Sequence, residues 1–296
     1  MLIWLVLIPL IAAALIGLCK APARPTALLS ASLTLALGIW ALVSFDGCSS
    51  CWSRFEGMDL QLTLAPALSK VMLLLTILVT FATVLGTNPP QGGEASWYNS
   101  ALLISAGATG AFLSDNIISF FAFHELALIP TFVMIGLYGR GDRRTTAWRA
   151  TLYLGLASMV LLAALLMIGT QAGFTFSGLK DFMASGRELA HAELIGALLI
   201  AGFGTLISLF PFHSWAAPAY ASAPAPVAMM HAGVLKKFGL YGLFMFQPLM
   251  ETGFLPWTNI LLVLLVCNVI WVGYVTVNQK RLDLLLGNSS VMHMGY

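Results

Sequence analysis

Nine long apolar stretches make up most of this chain and limit what it can fold into. They lie at about residues 2–19, 26–45, 69–86, 97–114, 117–138, 148–170, 194–212, 226–246 and 257–277. An α-helix needs roughly 20 residues to cross a lipid bilayer. Only 9% of the 296 residues are charged, whereas soluble domains carry about 25%. The pattern predicts an all-α, polytopic membrane protein with about 8–9 transmembrane segments in a lipid bilayer.

Composition also excludes several classes of function. The net charge of +2 is too small to indicate a nucleic-acid partner. The first stretch lacks the basic start and small-residue cleavage site of a signal peptide, so we expect a retained span. The sequence has no GxGxxG, no P-loop and no cysteine set for an iron–sulfur cluster. We therefore expect no redox cofactor, metal ion or nucleotide in this chain.

Charged side chains stand in the middle of two apolar stretches. Glu125 lies within 117–138, and Lys236 and Lys237 lie within 226–246. An ionised group at bilayer depth costs several kcal/mol unless it is paired or hydrated. Charges retained there indicate ion or proton movement. A carboxylate near a lysine favours the charged ammonium, so a shift of Glu125 would release a proton from Lys237; the alternative is a static ion pair that fixes helix packing.

Histidines accompany these charges. His213 stands beside a proline-rich break, and His231 precedes Lys237 by six residues. Histidine titrates near neutral pH and can relay protons; the alternative is a hydrogen-bonded structural role. His124 is adjacent to Glu125 but about 100° round the helix, and we interpret it as a packing or hydration group.

The segment 212–226 contains Pro218, Pro224 and Pro226. Prolines so close together interrupt a regular helix. Residues 194–246 therefore form either two crossings or one discontinuous element, of the kind that marks ion sites in transporters. The mixed segment 171–193 is interpreted as a short surface helix.

Lysine and arginine in short loops predict the orientation. Lys20 and Arg24 follow the first stretch, and four arginines cluster at 140–149 after the fifth. Both loops are cytoplasmic if every stretch crosses, which puts the N-terminus outside. The pair Lys280 and Arg281 falls inside if 194–246 crosses twice and outside if it crosses once. Cys48, in the external loop, forms a CSSC pair with Cys51, as a disulfide or as two free thiols.

The last residues, LDLLLGNSSVMHMGY, read as the start of a further span. From the sequence we expect the chain to be the N-terminal part of a longer protein.

Several ordered motifs resemble one family. AFLSDNIISFFAFHELALIPTFVMIGLYG, AWRATLYLGLAS, LFPFHSW, APAPVAMMHAGVLKKFGLYG and NSSVMHMGY resemble the antiporter-like membrane subunits of respiratory complex I, the proton-pumping NADH:quinone oxidoreductase. The spacing within AGVLKKFGLYG is most similar to the M-type members, called chain 4 in mitochondria. The resemblance covers about 97–296, and residues 1–96 match only in apolar character.

The resemblance implies an antiporter-like fold with a discontinuous helix over 194–246. It divides the chain into N-terminal transmembrane helices (1–96) and a first helical repeat (97–296), with the second repeat absent. It places Glu125 and Lys237 on the family's proton-channel pair, with His213, Lys280, Lys236 and His231 as weaker relay candidates. The chain would be a translocase subunit of a bacterial inner membrane, without redox chemistry of its own.

Other membrane subunits of complex I are the implied partners, and NADH, FMN, iron–sulfur clusters and quinone would bind partner subunits. Two alternatives remain: a cation/proton antiporter or hydrogenase-linked subunit of the same superfamily, and a structural scaffold that does not pump.

The chain also departs from the family's pattern. Leu206 stands where a lysine is common, and Pro218 replaces an acidic residue. Asp283 stands where a lysine is expected, with Lys280 about one helical turn away. These changes put the relay beyond Lys237 in question.

Overall fold

The apolar stretches form helices, as predicted. The computed structural model describes residues 2–44, 49–51, 60–90 and 92–296. The α-helices are α1 Ile3–Gly17, α2 Ala23–Ser44, α3 Ala67–Gly86, α4 Glu94–Leu113, α5 Ile117–Tyr138, α6 Arg143–Ala172, α7 Phe176–Ala184, α8 Ala192–Leu206, α9 Ala216–Ser222, α10 Ala225–Met230, α11 Lys237–Met245, α12 Thr258–Val277 and α13 Leu282–Met292. The predicted short helix within 171–193 is α7. The all-α prediction is confirmed, with one short two-stranded ribbon as the exception.

Fewer helices than expected satisfy the requirements of a crossing. Within the described residues, five elements are long and apolar enough: Ala23–Ser44, Ala67–Gly86, Ile117–Tyr138, Arg143–Ala172 and Gln247–Val277. The helices α1 and α8 are apolar but have only 15 residues each, about 22 Å at 1.5 Å per residue. The stretch 226–246 is split into shorter pieces. Composition counts apolar residues but does not register where a helix breaks, which is why the sequence predicted 8–9 segments.

The helices form two compact units. Unit 1 comprises Met1–Met134 and Pro224–Leu235, and unit 2 comprises Ile135–Ala223 and Lys236–Tyr296. The chain therefore changes unit between Leu235 and Lys236. The predicted division into 1–96 and 97–296 separates N-terminal helices from a structural repeat, which is a different criterion from the compact units described here. It stays a prediction.

Within unit 1, α4 packs against α1, α2 and α3. Its middle is built of small residues, and its side chains from Ser105 to Leu113 are buried. Small residues let neighbouring helices approach closely. A β-carbon built on Gly107 would lie 2.6 Å from the carbonyl oxygen of Phe123 in α5. The backbone of α5 therefore rests directly on α4 beside His124 and Glu125.

A capped turn fixes where α5 begins. The side-chain oxygen of Asn116 accepts hydrogen bonds of 2.9 Å from the backbone N–H groups of Ile118 and Ser119. An N-cap of this kind satisfies backbone donors that a helix leaves free at its start. Asp115 and Asn116 thus separate α4 from α5 by a tight turn, which sets the register of the helix that carries Glu125.

The ribbon pairs β1 (Ser49–Cys51) with β2 (Gln61–Thr63) in antiparallel register, Ser50 opposite Leu62. The proposed disulfide involves Cys48 and the side chain of Cys51, which lie outside the described residues.

In unit 2, α8 and the segment from α11 onward lie side by side and antiparallel. A β-carbon on Gly239 would lie 2.8 Å from the carbonyl oxygen of Phe203, and one on Gly196 would meet the carbonyl of Gly253. The indole N–H of Trp257 donates to the carbonyl of Glu193 at 2.9 Å. Residue numbers therefore rise along α8 while they fall along the segment from α11 onward, so these two arms run in opposite directions. Two antiparallel arms cannot be coaxial halves of one helix, so α8 is a separate element. The discontinuous helix is the interrupted run of α9, α10 and α11, with breaks at Ala223–Pro224 and at the π-helical turn His231–Leu235.

The segment between these arms, at 207–224, is interrupted: irregular backbone with a 3₁₀ turn at Phe212–Trp215 precedes the short helix α9, and the chain breaks again at Ala223–Pro224. Ser208 adopts a left-handed conformation, with φ of 64°. The buried amide of Asn268 in α12 bonds this region on one side and α13 on the other. It accepts from the N–H of Phe210 at 3.1 Å and donates to the carbonyl of Val291 at 2.9 Å.

The loops at residues 140–142 and 278–281 lie on the same end of unit 2. Arg140 and Asp142 line one cavity of about 180 Å³ together with Arg281 and Leu284. Because the two arginine-bearing loops share a cavity, they face the same side of the bilayer. This places Lys280 and Arg281 on the same side as the arginine cluster at 140–149, for which the sequence predicts a cytoplasmic location, and agrees with two crossings between 194 and 246.

Candidate functional site

Glu125 lies in the middle of α5 and contacts the preceding residue. Its carboxylate Oε1 is 3.2 Å from Nδ1 of His124; the His124 side chain is 1% exposed and that of Glu125 is 33% exposed. Neighbouring residues leave a helix about 100° apart, but these two side chains bend towards each other at their tips. His124 therefore contacts the acid directly, which the interpretation as a packing or hydration group did not include. Pro130 lies inside the same helix, one turn further on.

The two lysines follow a π-helical turn at His231–Leu235. Such turns are rare and occur frequently at functional sites. Lys236 is 1% exposed, whereas Lys237, the first residue of α11, is half-buried. The structure therefore buries Lys236, which sequence reasoning ranked below Lys237.

The Lys236 ammonium lies over an aromatic ring. Its Nζ is 4.9 Å from the centroid of the Tyr220 ring in α9, and it has no hydrogen-bond partner among the residues that the structure describes. A desolvated cation–π contact contributes about 2 kcal/mol. Removing an ammonium ion from water costs several kcal/mol, so the ring offsets only part of that cost.

Tyr220 is in turn held by α13. The hydroxyl of Ser290 donates to the Tyr220 hydroxyl at 3.4 Å. A β-carbon on Gly287 would lie 3.1 Å from Cβ of Tyr220 and 3.0 Å from the backbone of Ala217. The absence of a side chain at Gly287 lets α9 and α13 pack at backbone distance, and this fixes the ring beneath the lysine.

The remaining predicted candidates lie in different places. His213 is half-buried in the 3₁₀ turn, its ring centroid 5.5 Å from that of Phe210. His231 is buried within the π-helical turn of unit 1. Lys280 is exposed in the loop before α13. His213, Lys236, Lys237 and Lys280 belong to unit 2, and Glu125 and His231 belong to unit 1. The roles of all six stay predictions.

Asp283, at the position where a lysine was expected, forms an ion pair at the start of α13. Its Oδ2 is 2.6 Å from a guanidinium nitrogen of Arg281. This hydrogen-bonded pair holds the pKa of the Asp283 carboxyl below its usual range. An acid in the first turn of a helix also interacts favourably with the helix dipole. Asp283 therefore has a local structural role at the helix start.

Sequence reasoning did not find Tyr220, Ser290 and Asn268. Asn268 was detectable in principle, because an amide inside an apolar helix generally has a buried partner. Tyr220 and Ser290 gave no such signal. Their importance lies in contacts between residues about 70 positions apart.

Comparison with known proteins decides the family. Residues 114–296 match the family described as "NADH:quinone oxidoreductase/Mrp antiporter, TM". The chain belongs to this family. The match contains Glu125, both lysines and the broken segment, and it makes the chain a multi-pass membrane protein.

Relatives in the family include chain 4 proteins of cyanobacterial NAD(P)H-quinone oxidoreductases. The "NAD(P)H-quinone oxidoreductase chain 4 2" of Microcystis aeruginosa is 32% identical over 236 residues, which are 77% of this chain and 42% of that protein. The "chain 4 1" of Picosynechococcus sp. is 30% identical over 252 residues, 83% of this chain and 46% of that protein. The chain thus spans less than half the length of these relatives. The M-type resemblance is confirmed.

Solved structures agree on the fold. A chain of "Respiratory complex I from Thermus thermophilus with bound NADH" superposes with a TM-score of 0.88 at 26% identity, covering 100% of this chain and 63% of that one. A chain of the Mrp complex from Dietzia sp. superposes with a TM-score of 0.86 at 22% identity, covering 99% of this chain and 33% of that one. The antiporter-like fold is confirmed, and the second likeness concerns the fold alone.

Proposed function

We propose that this chain is a proton-translocating membrane subunit of an NAD(P)H:quinone oxidoreductase in a bacterial inner membrane. Partner subunits carry NADH, FMN, iron–sulfur clusters and quinone, and the chain moves protons when quinone is reduced. Glu125 and Lys237 are the central charged pair. His213, His231 and Lys280 assist the relay.

The family match over 114–296 carries this proposal, because it includes both members of the pair. The chemistry of the two residue types supports it. A carboxylate and an ammonium in an apolar environment influence each other's protonation strongly, since little water screens them. A change in their separation therefore converts movement into proton uptake or release.

The His124 contact adds to the chemistry at the acid. With Nδ1 at 3.2 Å from the Glu125 carboxylate, the imidazole is within hydrogen-bond distance of a proton carried there. An imidazole ring at this distance supports proton exchange with the carboxyl group inside α5.

Inverted membrane vesicles that contain the assembled complex provide the test. NADH oxidation and proton uptake are measured in parallel, the latter with a pH-sensitive dye. We expect Glu125→Gln and Lys237→Met to lower the number of protons taken up per NADH oxidised. The reason is that each change removes one ionisable member of the pair and leaves a side chain of similar size.

Matched controls come from exposed residues of the same type. Glu251→Gln and Lys180→Met alter exposed side chains and should leave proton uptake per NADH unchanged. Immunoblots of the isolated complex establish that all four variants assemble equally. Wild-type proton uptake per NADH in both Glu125→Gln and Lys237→Met vesicles would show that the pair is a structural element.

Cation/proton antiport is the second candidate, favoured by the antiporters included in the matched family. It is separated by a measurement without NADH. Vesicles with an imposed pH gradient are given sodium or potassium chloride, and antiport predicts that the cation dissipates the gradient. A gradient that persists with either salt argues against antiport and leaves NADH-dependent proton uptake as the deciding observation.

A further inference from the structure

Lys236 is a buried cation that the pair of Glu125 and Lys237 does not use. Its side chain is 1% exposed, and in the described part of the chain its Nζ meets no hydrogen-bond acceptor. A lysine with no function would be expected to turn its ammonium towards the surface along its flexible stem. Lys236 instead keeps its nitrogen inside unit 2.

The ring of Tyr220 accounts for the place where that nitrogen lies. Nζ is 4.9 Å from the ring centroid, within the roughly 6 Å over which an aromatic face attracts a cation. The negative face of the ring stabilises the protonated amine and does not act on the neutral one. Tyr220 thus interacts with Lys236 according to its charge.

The ring has little freedom to move away. Its Cβ end packs on Gly287, where a β-carbon would come within 3.1 Å. Its hydroxyl end accepts the hydrogen bond from Ser290 at 3.4 Å. Gly287 and Ser290 are one helical turn apart on α13, so one helix face holds both ends of the tyrosine.

We propose that Lys236 is a proton-carrying group of the pathway and that Tyr220 is the residue that positions its ammonium. This inference rests on the proposed function. The lysine gives a proton from Nζ to water and takes one back, with the nitrogen keeping its lone pair in between. The ring holds the protonated state in place, and the Ser290 hydroxyl holds the ring.

Variants of Tyr220 separate the ring from the hydroxyl. Tyr220→Phe keeps the aromatic face and loses the Ser290 hydrogen bond, whereas Tyr220→Leu loses the face. In vesicles containing the assembled complex, we expect Tyr220→Phe to retain proton uptake per NADH. Tyr220→Leu and Lys236→Met should each lower it below the wild-type value, because the first removes the aromatic face that positions the ammonium and the second removes the ammonium itself. Equal uptake in Tyr220→Phe and Tyr220→Leu would overturn the role of the ring.

A double variant tests whether the tyrosine acts through the lysine. If it does, Tyr220→Leu combined with Lys236→Met is no worse than Lys236→Met alone, because no cation remains for the ring to hold. A further loss of the same size in the double variant would show that Tyr220 acts independently of Lys236 and would refute the proposal.

The lysine side gives a second route if the Tyr220→Leu complex does not assemble. Lys236→Arg keeps a cation that stacks well on aromatic faces but does not release its proton, so proton uptake per NADH should fall in Lys236→Arg as it does in Lys236→Met. Wild-type uptake in Lys236→Arg counts against the proposal, because a fixed positive charge at this position would then be sufficient. Wild-type vesicles that oxidise NADH without taking up protons would refute the proposed function itself, whereas normal wild-type uptake with no effect of Lys236→Met or Tyr220→Leu refutes only this inference.

Discussion

At the scale of single residues, the side-chain amide of Asn268 connects the irregular backbone of unit 2 to a neighbouring helix. Asn268 is fully buried, and its side chain bonds both the N–H of Phe210 and the carbonyl of Val291. Backbone groups without a partner are costly where water is excluded. Asn268 therefore supplies to the interrupted segment the hydrogen bonds that a continuous helix would have formed within itself.

Replacing this amide should destabilise the protein. Asn268→Leu keeps the volume but leaves one buried donor and one buried acceptor unpaired, at about 1–3 kcal/mol each. We expect the assembled complex to lose its activity at a lower temperature, measured as the fraction remaining after heating. Cys267→Ala, at the half-buried neighbouring position, is the control. Equal heat resistance of the Asn268→Leu and wild-type complexes would contradict the assigned role.

At the scale of secondary-structure elements, the contact between α4 and α5 determines the position of Glu125. Gly107 meets the backbone of Phe123 and Ala127, and Gly110 meets the Phe123 ring. These two residues of α5 flank His124 and Glu125. The smallest side chains of α4 thus position the charged turn of α5.

Adding one methyl group at this contact should separate the helices. In Gly107→Ala the new β-carbon would lie 2.6 Å from the Phe123 carbonyl oxygen and 2.7 Å from the Ala127 nitrogen, and backbone atoms have no rotamer with which to yield. We expect a loss of about 1–3 kcal/mol from overpacking and less assembled complex on immunoblots. Gly155→Ala adds the same methyl group to α6 with no atom within 4 Å, so its assembly should equal that of the wild type.

The elements also show what could be predicted from the sequence. The helices follow from apolar runs, because an apolar segment in lipid must satisfy its own backbone. The break at Pro224 follows from proline chemistry, whereas Pro218 lies in the first turn of α9, where a helix tolerates proline. Whether the arms on either side are coaxial or antiparallel depends on contacts such as Gly196 with Gly253, and no local pattern encodes these. The same limit explains Lys236: helical geometry separates it from Lys237, but only the position of Tyr220 shows which lysine meets the ring.

For the whole molecule, the shared cavity of Arg140 and Arg281 predicts a topology. Cysteines introduced at Arg144 and at Lys280, in a chain whose four native cysteines are replaced by serine, should react with an impermeant thiol reagent from the cytoplasmic face only. A cysteine at Arg187 should react from the opposite face, because α6 lies between the two loops. The labelled fraction is measured in intact cells and in inverted vesicles. Labelling of the cysteines at 144 and 280 from different faces would refute the two crossings between 194 and 246.

The proline inside α5 has a consequence for how its acid is solvated. Pro130 has no N–H group, so it cannot complete the helical hydrogen bond to the carbonyl oxygen of Leu126, the residue after Glu125. Without that bond, the oxygen can accept a hydrogen bond from a water molecule. Glu125 therefore has a backbone dipole in the adjacent peptide that can keep water beside it. The proline in α5 thus provides a site next to Glu125 where water can help to solvate the carboxylate within the apolar layer.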